Sequence, residues 1–73
     1  MSTTLTKSIN DLKIGQTAII NNSFSTSLQE LGFLPGEHVK VLAKASFGGP
    51  IAVRVRSSVF ALRVEEAAQI IVD

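Results

Sequence analysis

Three stretches of the chain place apolar residues at every second position, and few folds accept that pattern. Thr17–Asn22 sets Ala18 and Ile20 on one face. Val39–Ala45 sets Val39, Val41 and Ala43 against Lys40, Leu42 and Lys44. Ile51–Arg56 sets Ile51, Val53 and Val55 against Ala52, Arg54 and Arg56. Side chains alternate between the two faces of a strand, so a period of two predicts strands buried on one side. Val59–Val64 and Gln69–Val72 predict two more short strands.

Short helical turns interrupt the strands. Ser8–Leu12 is one, ended by Gly15; Ser27–Leu31 is the other, with Gly32 suited to the left-handed cap. Ser27 with Glu30 fits a capping box and so does Thr26 with Gln29, which leaves the cap open by one residue. Leu34-Pro35-Gly36-Glu37 reads as a type II turn, proline presetting φ and glycine supplying a positive one. Glu65-Glu66-Ala67-Ala68 is too short for a stable helix and suits a single 3₁₀ turn. Five short strands with such a turn before the last predict a mainly β domain, a small five-stranded SH3-like barrel. Its expected core is Ala18, Ile20, Val39, Val41, Val53, Val55, Leu62 and Ile70. No linker or repeat divides the chain, so residues 1–73 are read as one domain with a core over about 5–72.

The hairpin between Lys40 and Arg56 has a register that parity restricts. A tight turn on Gly48-Gly49 pairs Lys44 with Val53, a surface position with a core one, which a regular pleat forbids. A five-residue loop, Ser46–Pro50, pairs Ala43 with Val53 and Val41 with Val55. It also sets Lys40 opposite Arg56, an unfavourable like-charge pair.

Size and composition exclude most functions. A chain of 73 residues buries only about 60 % of its unfolded surface, leaving no room for a deep substrate pocket beside the core. A net charge of +1 exerts no strong pull on nucleic acid or an anionic membrane. The absence of cysteine removes disulfides and thiolate sites and fits a reducing compartment. No apolar run approaches the roughly 20 residues that cross a bilayer. The first five residues lack a signal-peptide core, so the expected location is cytoplasmic.

Four segments in order resemble a known family. They are Leu12-x-x-Gly15-Gln16-x-Ala18-x-Ile20; Leu28-x-x-Leu31-Gly32-x-x-Pro35-Gly36-x-x-Val39-x-Val41; Gly48-Gly49-Pro50-Ile51-x-Val53; and Ala61-Leu62-Arg63-x-x-x-Ala67-x-x-Ile70-x-Val72. The chain resembles FeoA, the small cytosolic protein of bacterial ferrous-iron uptake, over roughly residues 5–72. The resemblance implies an SH3-like fold and a non-enzymatic role assisting FeoB, a membrane ferrous-iron transporter with a cytosolic GTP-binding domain. A similar domain ends some metal-dependent repressors; with no DNA-binding segment before Leu5, that arrangement is not expected.

The individual residues agree with a binding role. His38 is the single histidine, and its neighbour Glu37 points to the other face of a strand, so no metal site is expected. One histidine and no cysteine leave no activated nucleophile. Glu65-Glu66 is a solvated pair, and Gly48-Gly49-Pro50 lacks the lysine and helix of a phosphate loop. Arg63, at a strand end, is expected to tie the corner by bonding carbonyls or Glu66. Leu28, Leu31, Phe33 and Leu34 crowd one helical turn, more than so small a core can take, so two are expected inside and the rest exposed. The expected partner surface is the Leu28–Leu31 turn with Phe47, and with Lys40 and Arg56 at the rim. No cofactor is expected. A metal- or ligand-responsive regulatory domain and a small-barrel nucleic-acid binder are the other readings the fold admits. The second lacks a strong basic surface and has four Phe but no Tyr or Trp for stacking.

Overall fold

A computed structural model describes residues 7–73. Leu5, where the apolar pattern begins, lies outside the described residues. Six antiparallel strands form one sheet: β1 (Lys7–Ser8), β2 (Thr17–Ser23), β3 (His38–Lys44), β4 (Ile51–Val55), β5 (Ser58–Leu62) and β6 (Ile70–Val72). Their order is β1-β6-β2-β3-β4-β5. The five expected strands are present, and β1 is a sixth, a two-residue edge paired with β6. One cluster of buried side chains draws on β2 through β6, so the sheet must bend around it. All eight core residues named from the alternation belong to it, joined by Ile9, Leu12, Leu28, Phe33, Ile51, Ala67 and Val72.

The two sheet edges are joined by turns. After β1, a 3₁₀ turn at Ile9–Asp11 starts at Ser8, whose hydroxyl accepts from Asn10 N–H at 3.2 Å. The Asp11 carboxylate returns the bond to Ser8 N–H at 2.9 Å. After β5, α2 (Val64–Ala67) forms, and the Asn10 side-chain amide donates to Val64 carbonyl at 3.0 Å. That bond spans the seam between the edges. Val64 is thus in α2, not at the end of a Val59–Val64 strand. The expected 3₁₀ turn at Glu65–Ala68 is one α turn instead: Ala67 and Ala68 N–H reach the carbonyls four residues back, Arg63 and Val64, at 2.9 and 3.0 Å. Glu66 holds the start of this turn by accepting from Arg63 N–H at 2.8 Å. The corner is tied by the backbone of Arg63, while its side chain stays exposed.

α1 (Thr26–Leu31) is too short to be stable alone and depends on its packing. Its cap is Ser25, neither Thr26 nor Ser27: the Ser25 hydroxyl accepts from Leu28 N–H at 3.3 Å. Gln29 is diverted from a capping box and donates to Ser23 carbonyl at 2.7 Å. Gly32 closes the helix at φ 119°, a conformation costly for any side chain. The chain then buries Phe33, packed on Phe60 with ring centres 5.2 Å apart and planes tilted by 55°. In the type II turn beyond it, Glu37 N–H bonds Leu34 carbonyl at 3.0 Å.

The β3–β4 hairpin departs from the expected register. Val39 pairs with Val55, Lys40 with Arg54 and Val41 with Val53, but Ala43 pairs with Ala52 and Lys44 with Ile51. One extra residue on β3 between Val41 and Ala43 is a β-bulge, which reverses the facing of the strand residues after it. Ala43 is therefore exposed rather than in the core, and the parity argument against pairing Lys44 with a core residue does not apply. The loop runs from Ala45 to Pro50, with Ala45 N–H on Pro50 carbonyl at 2.9 Å. Inside it, Gly49 N–H reaches Ser46 carbonyl at 3.3 Å over Phe47 and Gly48, both at positive φ (58° and 75°). That is the pattern of a type I′ turn.

Candidate functional site

Exposed apolar side chains flank α1 in the chain. Leu28 is 4 % exposed and belongs to the core, so it forms no part of a contact surface. Leu31, one turn further, is 52 % exposed, and Leu34 and Phe24 are exposed as well. Two of the four crowded apolar residues are inside, Leu28 and Phe33, and two are outside, as the small core requires.

Phe47 lies elsewhere. α1 leads into the start of β3, and the Phe47 loop leaves its end. Seven residues of strand separate the two places, about 20 Å at ~3.3 Å per residue. Leu31 and Phe47 thus belong to opposite ends of the hairpin. Phe47 is 106 % exposed and does not fold back onto the barrel. A non-glycine residue at its positive φ costs about 1–2 kcal/mol, and no packing offsets it. Phe47→Asn places the Asn-Gly pair that type I′ turns favour. It should raise stability by about 1 kcal/mol, read as a higher calorimetric melting temperature. A lower one would show that Phe47 supports the fold.

Near the start of β3 lies a cleft of about 240 Å³ on the outer face of β2, β3 and β4, lined by Thr17, Glu37, His38, Val39, Lys40, Arg54 and Arg56. Lys40 faces Arg54 across the strands, not Arg56 as the regular register implied; the longer loop and the bulge each shift the pairing by one residue. Arg56 sits instead in the two-residue turn between β4 and β5, at φ 58°. It donates to Glu37 at 2.6 Å, the one ion pair among the described residues. This hydrogen bond, and then the guanidinium charge, hold the Glu37 carboxyl below the ordinary glutamate range. The same bond raises Arg56. Stabilisation from a lowered carboxylate is present above the unfolded value and is lost as pH falls through the folded one. The stability difference between the native chain and Glu37→Gln should therefore close as pH drops below the glutamate range. Melts of both across acid pH test this, and a constant difference would contradict it.

The FeoA domain family matches residues 7–73. The chain belongs to the FeoA family. Stenotrophomonas maltophilia FeoA, solved with zinc and described as a procaryotic SH3 domain protein, is 32 % identical with a TM-score of 0.80, covering 92 % of this chain and 89 % of that one. Chlorobium tepidum FeoA is 30 % identical with a TM-score of 0.81, covering 90 % and 68 %. A FeoA-like protein from Clostridium acetobutylicum is 25 % identical with a TM-score of 0.83, covering 97 % and 88 %. A manganese-dependent transcriptional repressor shares the fold at 21 % identity, the chain matching 42 % of its length. No curated protein matches by sequence.

In this FeoA chain the described residues bring no three His, Asp or Glu side chains together. Glu37 precedes β3 and escapes its alternation, so it lines the cleft beside His38 rather than the opposite face, and its carboxylate is engaged by Arg56. No helix among the described residues is long and apolar enough to cross a membrane. Arg54 was not among the residues expected at the surface site. It shares the outer face of the Ile51–Arg56 alternation with Arg56, and a longer loop together with the bulge brings it opposite Lys40.

Proposed function

We propose that this chain is a single, non-enzymatic, protein-binding domain that assists a FeoB-type ferrous-iron transporter from the cytoplasmic side. Membership of the FeoA family supports the reading, as does the Stenotrophomonas protein, put forward as a ferrous iron transport activating factor. The observation that carries it is Leu31: a leucine half out in solvent beside exposed Leu34, on a helix whose other leucine is buried. Exposed aliphatic side chains close together in the chain around one short helix suit a protein-contact patch. Phe47, strained and wholly exposed, is a second contact at the far end, and Lys40 and Arg56 line the cleft near the start of β3. No cofactor, nucleic acid or membrane insertion enters the role, and the partner recruits the domain to the membrane.

Tagged domain incubated with solubilised bacterial membranes should recover the transporter, identified by mass spectrometry. Leu31→Glu, checked by a melt, should not recover it. Equal recovery by both would remove Leu31 from the interface.

A further inference from the structure

The cleft on the outer face holds more positive charge than the fold uses. Lys40 and Arg54 are directly opposed on neighbouring strands, a placement that destabilises a sheet when like charges have no counter-ion. The acid in the cleft, Glu37, is engaged by Arg56. No carboxylate among the described residues reaches Lys40 or Arg54 within ion-pair distance. Arg56 itself occupies a positive φ at the first position of a two-residue hairpin turn, where glycine is favoured. The sequence thus accepts repulsion and backbone strain at adjoining positions, and its gain lies in the cations presented together.

We propose that this cleft docks an acidic peptide segment of a protein partner, its carboxylates bridging Lys40 and Arg54 with Thr17 and His38 supplying polar contacts. Three observations define the occupant. About 240 Å³ is below the ~300–1,000 Å³ usual for small-molecule sites, so the anionic group arrives on a larger body. The cross-strand neighbours of the cleft are aliphatic and exposed: Ile19 pairs with His38 and is 40 % exposed, and Val59 pairs with Arg54 and is 56 % exposed. Carboxylates flanked by apolar side chains complement that arrangement. Single-stranded nucleic acid needs aromatic faces for its bases, and neither exposed phenylalanine, Phe24 or Phe47, lines the cleft.

The proposal rests on the chain being a protein-binding module, but its test needs no transporter. The chain lacks Tyr and Trp, so the readout is fluorescence anisotropy of a labelled oligoglutamate peptide carrying one leucine. Saturable binding to the full chain is expected, weakening as salt rises from about 50 to about 300 mM. Arg54→Glu should reduce affinity by about tenfold or more, whereas Lys13→Glu, an equal charge change outside the cleft, should reduce it by less than about twofold. Because Arg54→Glu replaces a repulsive cross-strand pair with an attractive one, its melting temperature should stay level or rise. Loss of binding is then separated from loss of fold.

No binding by the peptide, equal losses in both variants, or stronger binding of a single-stranded oligonucleotide would each overturn the proposal. Peptide binding that is lost in Arg54→Glu, together with no affinity for the transporter, would keep the cleft and overturn the transporter as partner. Transporter binding unaffected by Arg54→Glu would do the reverse.

Discussion

Phe33→Ala should remove most of the stability of this domain. Phe33 has no exposed surface and packs on Phe60, so its truncation opens a cavity in the middle of a small core. Phenylalanine-to-alanine changes in cores cost about 3–5 kcal/mol. The total for a chain of this length is roughly 4–11 kcal/mol, so the variant should be close to unfolding. A calorimetric melt should show a drop of about 15 °C or more, and Phe33→Leu should recover part of it. A drop of only a few degrees would mean that the region after α1 is less essential than its burial indicates.

The second large effect separates two leucines three residues apart. Leu28→Ala should cost about 2–5 kcal/mol of stability, because that side chain is in the core. Leu31→Ala should leave the melt nearly unchanged and weaken partner binding by about tenfold or more. Lys40→Ala should cost less in affinity and act mainly on the association rate and its salt dependence. Affinity and melting measured together on the three variants decide the matter. If Leu31→Ala is folded and binds normally, the contact surface is elsewhere.

Much of the fold was legible because burial on one side of a strand forces alternation. Ala18 and Ile20, Val39 and Val41, and Ile51, Val53 and Val55 carry that pattern and all prove buried. The hairpin register was not legible. Nothing in Val41-Leu42-Ala43 marks a bulge; that extra residue turned the parity argument around and, with a loop one residue longer than expected, moved the partner of Lys40 from Arg56 to Arg54. The helix cap failed for a different reason. Ser25, Thr26 and Ser27 are all competent caps, and burial of Leu28 with capture of Ser23 carbonyl by Gln29 decides among them. Among the described residues β1 comprises only Lys7 and Ser8, too few for any periodicity.

The candidate site was legible in kind more than in place. The surplus of apolar residues around α1 came from counting what so small a core can hold, and two of the four are indeed exposed. Which two depended on the turn of the helix, so Leu28 was expected at a surface it does not reach. Phe47 and Leu31 were joined into one surface as surplus apolar residues placed where SH3-like barrels border a groove, while the strand between them carries its two ends apart.

On the proposed reading, this chain grips a transporter's cytosolic portion through exposed apolar side chains. The direct measurement is calorimetric titration of the intact chain with the purified cytosolic part of a FeoB-type transporter, with and without guanine nucleotide. Saturable, stoichiometric binding is expected, and Leu31→Ala should weaken it without lowering the melting temperature. Absence of binding in every nucleotide state, with both proteins shown to be folded, would contradict it.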